Sequence, residues 1–319
     1  MYGMMKTQMF GVEVEMTGLT RAAVADIIAD FFGTSASEPS YDCYHTRKIY
    51  DHKSRVWKVM RDGSIIAEVN DGSEEYTMTL DKYKVEIVTP PLKYEDIEIL
   101  QEIIRKIRAA GGKVNSSCGI HVHVDGANHT MESLRRLVNL FVGRQDLIYE
   151  ALNIGERENR WCQKMNPELL KEMKKQKVNS YDRFEKIWYS NKNEGGEGEV
   201  EYAWVDHSHY NRTRYHGINL HAFFTKGTVE FRLFNSTLHA GRIKSYIQFC
   251  LACSAWSIEA DDNMSFRNTK EYTAEQKVKI MAGFISRRLG LQGAEFKTAR
   301  YFLLWHLKKN AGMDVRAAA

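Results

Sequence analysis

Three stretches of the chain alternate apolar with ionisable side chains, a period of two that calls for an extended strand rather than a helix. In Phe10-Gly11-Val12-Glu13-Val14-Glu15-Met16 the two acids are flanked by Val12, Val14 and Met16. Ile120-His121-Val122-His123-Val124 and Val229-Glu230-Phe231-Arg232-Leu233 repeat the arrangement with other charges. Alternate side chains of a strand share a face, so each pair sits about 6.5–7 Å apart along it. Glu86, within Lys84-Val85-Glu86-Ile87-Val88, has apolar neighbours as well. Two readings are open: the polar outer face of a sheet, or faces that converge on one site. In the second, gathered carboxylates repel one another and lose hydration, and cations are the compensation. Oxygen-rich ligands with an imidazole suit magnesium or manganese better than zinc. Two such ions a few ångströms apart form the usual clamp for phosphoryl chemistry.

The spacing predicts a strand over 10–16 and a helix over about 21–32. Short β-like runs are expected at 55–60, 64–69, 76–80 and 83–88, with hairpin turns at Asp62-Gly63 and Asp71-Gly72. Pro90-Pro91 ends the last run, and a helix from about 94 to 110 stops at Gly111-Gly112. A strand at 118–125 and a helix over 131–152 follow. A hairpin of strands 217–224 and 228–234 is expected to turn at Thr225-Lys226-Gly227. Helices are expected at about 238–258, 274–289 and 296–309. Hairpins followed by segregated helices argue for an α+β fold with a mostly antiparallel sheet and helices packed on one side. We expect a single domain with a helical C-terminal part at 238–310. The segment 155–215 reads as an insertion or lid, since its ends lead back into the sheet pattern. It carries the basic run Lys171 to Lys177, the patch Gly195-Gly196-Glu197-Gly198, and the aromatics Trp161, Tyr181, Phe184, Trp188, Tyr202 and Trp204.

Composition narrows the partners. The 319 residues are 43% hydrophobic and 27% charged, a globular balance rather than a disordered one. Lys plus Arg is 45 against 41 for Asp plus Glu, so the net charge of +4 is weak support for nucleic acid or an anionic membrane. No run is long and apolar enough to span a bilayer, and Met1 to Phe10 lacks a secretory core, so a cytoplasmic protein is expected. Five scattered cysteines argue against a disulfide framework. Cys250 and Cys253 form a lone CxxC, but with Tyr246, Phe249 and Trp256 they recur at helical spacing and read as core; Cys118 reads as a small core residue too. The final three alanines read as an added tail. There is no GxxxxGK[ST] phosphate loop, no glycine-rich dinucleotide fingerprint and no serine or cysteine nucleophile motif.

The ordered motifs carry a resemblance. Phe10-Gly11-Val12-Glu13-Val14-Glu15 resembles the first metal-binding strand of the glutamine synthetase and glutamate–cysteine ligase superfamily. Arg61-Asp62-Gly63-Ser64, Val85 to Leu92, Cys118 to Asp125, Asn219-Leu220-His221 and Thr228 to Phe234 follow in order. Over about residues 8 to 240 the set resembles the amidoligase family within that superfamily. The resemblance implies a glutamine-synthetase-like curved sheet and ATP-dependent joining of a carboxylate to an amine through an acyl phosphate. It implies two magnesium (or manganese) ions: Glu15 and Glu86 would hold one near the acyl acceptor, and Glu13, His121 and Glu230 another on the nucleotide phosphates. His123 would touch phosphate or substrate, and Arg232 would neutralise the transferring phosphoryl oxygens, which its planar fork fits.

Asp62 reads either as a further ligand or amine anchor, or as a turn residue before Gly63. Arg212 and Arg214 resemble arginines that precede the Asn-Leu strand in the family, and would bind a substrate carboxylate or ATP; Asn219 belongs to that strand. Arg160 lies in a segment resembling a family stretch rich in Arg and Asn. Thr228 stands where the longer arginine-rich triplet of glutamine synthetases would place an arginine, and the separate N-terminal domain of those enzymes has no counterpart. The partners implied are a small-molecule or peptide amine and a carboxylate, with no membrane; nothing in the sequence sets an oligomeric state. Two other functions are weighed against amide ligation: another phosphoryl transfer on the same scaffold, of guanidino-kinase type, and a non-catalytic nucleic-acid-binding module using Lys171 to Lys177 with nearby aromatics. Glu168, Glu172, Asp182 and Glu185 interrupt that basic surface, so nucleic acid is not favoured.

Overall fold

The computed structural model describes residues 2–68, 80–175, 178, 180–190, 203–261 and 271–316. Among them run α1 (Tyr2–Thr7), β1 (Phe10–Met16), α2 (Arg21–Phe32), β2 (Arg47–Tyr50), β3 (Val56–Met60), β4 (Val85–Val88), α3 (Ile97–Ala109) and β5 (Gly119–Asp125). Then come α4 (Met131–Val142), α5 (Gln145–Leu152), α6 (Pro167–Lys175), α7 (Tyr181–Tyr189), β6 (Ile218–Asn219), α8 (His221–Lys226) and β7 (Thr228–Asn235). The chain finishes with α9 (Ala240–Glu259), α10 (Ala274–Gly283) and α11 (Lys297–Asn310). The fold is α+β, and its paired strands are antiparallel, as the sequence predicts. No described helix is long and apolar enough to cross a membrane.

The chain divides into two compact units, residues 9–122 with 234–247, and residues 1–8 with 123–233 and 248–319. The division falls inside β5, β7 and α9. In the first, the sheet unit, strands lie in the order β2-β3-β4-β1-β5. Val12, Val14 and Met16 of β1 are buried, as the alternation requires. Helix α2 starts at Thr20, whose hydroxyl accepts from Ala23 N, and stops at Gly33 in the left-handed region. Leu100, Ile103, Ile104 and Ile107 give α3 a buried stripe at helical spacing. Gly112 after it is closely packed: a Cβ there would meet the side-chain ends of Met16 and Leu238 at 2.9 Å, and they would have to shift.

Before α3, Asp96 is buried and takes hydrogen bonds from Arg55 Nη1 (2.6 Å), Lys93 N (2.9 Å) and Lys53 Nζ (3.1 Å). Burial pushes its carboxyl up, but those donors outweigh it and hold the group down at about 2. A depressed carboxyl stabilises the fold above its unfolded value, about 3.9, and loses that contribution as pH falls toward 2. Asp96→Asn is therefore expected to destabilise the protein by about 3 kcal/mol at neutral pH, and by progressively less in acid. Urea unfolding at neutral pH and below pH 4 checks this; a gap that does not change with pH would refute it.

The second, helical unit holds the β6–β7 pair, with Ile218 opposite Phe231 and Asn219 opposite Glu230. Phe141 packs against Phe231 and Phe249, and Phe184, Trp188 and Leu169 are buried. Cys250 and Cys253 are fully buried thiols on α9, and Cys118 of the sheet unit is buried as well.

Four expectations are corrected. Residues 64–68 form no strand: Ile66 N donates to Ser117 Oγ, Asn115 Nδ2 to Ile66 O and Glu68 N to Thr17 Oγ1, so side chains take the bonds a ladder would use. Asp62-Gly63 consequently makes no hairpin; Asp62 Oδ1 caps Ser64 N at 2.6 Å in a local turn. The 131–152 helix is two helices, broken at Gly143-Arg144. Residues 221–226 are helix α8 rather than strand, because Asn219 Oδ1 accepts from Ala222 N and Gly227, left-handed, closes the helix from behind. Strand β2 was not expected. The strand at 76–80 (but for Leu80), Asp71-Gly72, the glycine-and-acid patch at 195–198, Lys177 and the terminal alanines lie outside the described residues.

Candidate functional site

Strand register sets the acids of the sheet unit. Antiparallel pairing of β1 with β4 puts Glu15 directly opposite Glu86, and that of β3 with β4 puts Met60 opposite Glu86. Directly opposite side chains have Cβ atoms about 4.5–5.5 Å apart, and like charges so placed destabilise a sheet. Glu15 and Glu86 are nevertheless 3% and 8% exposed. Gly119 N, at the start of β5, donates to Glu15 Oε2 at 2.6 Å. His121, two residues along β5 and buried, has Nδ1 2.9 Å from Glu13 Oε2 and Nε2 3.7 Å from Glu15 Oε1. With Glu13 ionised its carboxylate only accepts, so Nδ1 of His121 is the donor in that hydrogen bond.

Two overlapping sets of donors result. Glu13, Glu86 and His121 each offer one ligand atom, and these lie within 4.8 Å of one another; Glu15, Asp62 and Glu86 do the same. Glu86 belongs to both. The turn that fails as a hairpin brings Asp62 beside the second set: it caps Ser64, which is the turn reading, and its carboxylate stands with those of Glu15 and Glu86.

In the helical unit a second cluster forms on β7. Arg232 Nη1 donates to Glu230 Oε1 at 2.5 Å, and Asn219 Nδ2 of β6 donates to Glu230 Oε2 at 2.6 Å. His123 Nε2 lies 3.9 Å from Glu230 Oε1, while its Nδ1 is 3.0 Å from Thr228 Oγ1. The β6–β7 register, with Asn219 opposite Glu230, draws Asn219, Glu230 and Arg232 together. Glu230 and Asn219 also line a cavity of about 240 Å³, with Arg214, Lys226, His209 and His221 among its other walls. Arg214 reaches it from the turn at Arg212–Tyr215. Arg212 is exposed and does not line it, and Arg160, also exposed, lies over the Trp161 ring at 4.4 Å.

The family profile described as "putative amidoligase enzyme" matches residues 6–254. The chain belongs to this amidoligase family. A search of curated proteins finds no match. The matched span takes in every acid, imidazole and guanidinium named above.

Divalent magnesium or manganese fits the residues of this amidoligase-family chain. The test is the pair of opposed, buried carboxylates: Glu15 against Glu86 is a like-charge pair that a cation between them would relieve, and the donors are mostly carboxylate oxygens, which such ions prefer.

Sequence reasoning did not find His207, His209 or Lys226, which line the cavity, nor the buried Tyr189, whose hydroxyl is 2.7 Å from His221 Nδ1. His207 and His209, two apart, were a usable signal; the convergence of their loop with α8 was not.

Proposed function

We propose that this amidoligase-family chain is an ATP-dependent carboxylate–amine ligase that forms an amide through an acyl phosphate, on a glutamine-synthetase-like sheet. One observation carries the reading: two buried carboxylates, Glu15 and Glu86, face each other across paired strands in a chain of this family. A carboxylate is a poor electrophile, because its leaving group would be oxide. Phosphorylation by ATP converts that oxygen into phosphate, and the amine then attacks the acyl carbon and expels it. Catalysis of this kind is chiefly positioning and charge neutralisation.

Glu15 and Glu86, with Asp62 as a further ligand, would hold one magnesium or manganese ion beside the acyl acceptor. Glu13 and His121, joined by Glu230 as in the family, would hold a second on the nucleotide phosphates. Such ions, when bound, withdraw charge from the phosphoryl oxygens. His123 would contact phosphate or substrate. Arg232, a planar donor fork beside Glu230, would neutralise charge on the travelling phosphoryl group. Asn219 holds Glu230 in its rotamer from the other side. Five scattered cysteines with no disulfide among the described residues support work in a reducing cytoplasm.

Calorimetric titration of ATP with excess magnesium into wild type and Glu230→Gln tests the reading, followed by a screen of amines and carboxylates for ADP release. Magnesium-dependent binding in the wild type, weakened at least about tenfold in the variant, is expected. Wild-type protein that neither binds ATP nor releases ADP with any pair would overturn it.

A further inference from the structure

The charge of this chain is unevenly spread. Residues 271–316 hold nine lysines and arginines against four acids, a net +5 where the whole chain carries +4. The family match ends at residue 254, so this basic segment, with α10 and α11, lies outside the matched span. Inside the helical unit α11 packs against α10 and α5, with Ala299, Leu303, Leu304 and Leu307 buried. Its outer face reads at intervals of four, Lys297, Tyr301, Trp305 and Lys309, with Lys308 beside it. The two end lysines are exposed and the two rings half-buried. Exposed Lys309 lies over the Trp305 ring at 5.3 Å, so a face of that ring is turned toward solvent. Arg287 and Arg288, exposed on the π-helical turn Phe284–Arg288 that follows α10, add to the charge. The acids of this region are taken: Glu295 by Tyr2 and Lys6, Glu150 by Lys277, and Asp314 by Arg316. Among the described residues, Arg287, Arg288, Lys308 and Lys309 form no salt bridge.

We infer that the outer face of α11 is a docking surface for single-stranded nucleic acid. Lys297, Lys308 and Lys309 meet phosphates, and Tyr301 and Trp305 stack on bases, one base taking the place Lys309 now holds over Trp305. Lysines interleaved with aromatic rings suit a single strand of any sequence, because every base has a π-face. At a rise of about 1.5 Å per residue the two rings stand about 6 Å apart along the axis, against roughly 3.4 Å between bases stacked in a duplex strand. They therefore match bases that are splayed apart. A duplex hides its ring faces, and a membrane would need an apolar face on α11, which is buried against its neighbours. The basic run from Lys171 is the poorer surface, since Glu168 pairs with Lys171 and Glu172 lies within it. Docking on α11 needs neither ATP nor magnesium and stands apart from the ligase reading.

The test is fluorescence anisotropy of a labelled single-stranded oligonucleotide of about 15 nucleotides with the full chain, in EDTA and without ATP. Saturable binding is expected, weakening with salt at a log–log slope of about −2, from three phosphate contacts at about −0.7 each. Lys308→Glu combined with Lys309→Glu is expected to weaken binding at least about tenfold and to flatten the slope. Trp305→Ala is expected to weaken it about tenfold at unchanged slope, and Trp305→Phe, which keeps a stacking ring, by about threefold at most. DNA and RNA versions present the same charges and ring faces, so both are expected to bind, and the tighter names the source. No saturable binding, undiminished binding in the double lysine variant, or equal affinity in Trp305→Ala would each overturn the assignment. So would tighter binding to a duplex of the same sequence, to polyglutamate or to phosphatidylserine vesicles.

Discussion

Glu15→Gln is expected to abolish amide formation, by at least about a thousandfold, while leaving the folded protein as stable as wild type in the absence of metal. Gln keeps the shape of Glu, and its carbonyl oxygen can still accept from Gly119 N, now bonded to Glu15 Oε2 at 2.6 Å. It removes one of two like charges opposed across β1 and β4, which relieves up to about 1 kcal/mol of repulsion. The metal response separates this from a trivial folding defect. An ion that binds only the native state raises stability by RT ln(1 + [L]/Kd), about 2.7 kcal/mol at a hundredfold excess over Kd. Thermal unfolding with and without magnesium should show that rise in wild type and not in the variant. Near-wild-type turnover in Glu15→Gln, or an undiminished magnesium response, would sink the two-ion proposal.

The second large effect lies at Gly217, just before β6. A Cβ there would stand 2.2 Å from Tyr149 Oη and 3.1 Å from Tyr149 Cζ. Tyr149 cannot swing aside cheaply: it is buried and its hydroxyl bonds to Cys162 O at 2.8 Å and Gln163 O at 3.1 Å. Gly217→Ala is expected to cost about 3 kcal/mol of stability. It should also impair activity, because Arg232 N donates to Gly217 O at 2.8 Å and any shift is passed to the Arg232–Glu230 pair. Adding Tyr149→Phe deletes the oxygen at fault. Alone that change loses hydrogen bonding worth about 1 kcal/mol, yet in the Gly217→Ala background it should restore stability. Urea denaturation of the four proteins in the cycle decides it; additive losses would show that the clash is not with the hydroxyl.

Much of the sheet and of its acids was legible in the sequence. The strands of Glu13, His121 and Glu230 declare themselves because apolar alternation continues through the charges, and Glu86 because its neighbours are apolar. What alternation does not carry is who sits opposite whom: the facing of Glu15 and Glu86 is a property of register. The failures have a common physical cause. At 64–68 and 221–226, side chains of Thr17, Asn115, Ser117 and Asn219 hydrogen-bond the backbone and override strand-like composition. The cavity was legible at Glu230, Arg214 and Asn219, while His207, His209 and Lys226 come from a loop and a short helix with no periodic pattern.

The two compact units are both discontinuous in the chain, and this has a kinetic consequence. Gln8, near the N-terminus, donates through Nε2 to Leu251 O and takes a hydrogen bond from Ser254, both on α9. The helical unit also needs α10 and α11, so it cannot close during synthesis until α11 has been made. The sheet unit waits for residues 234–247. Contacts of such sequence separation make slow folding the expectation, with apolar strand edges exposed on the ribosome meanwhile. A nascent chain of this kind is a natural client for chaperones, and its yield should respond to translation speed more than its final stability does.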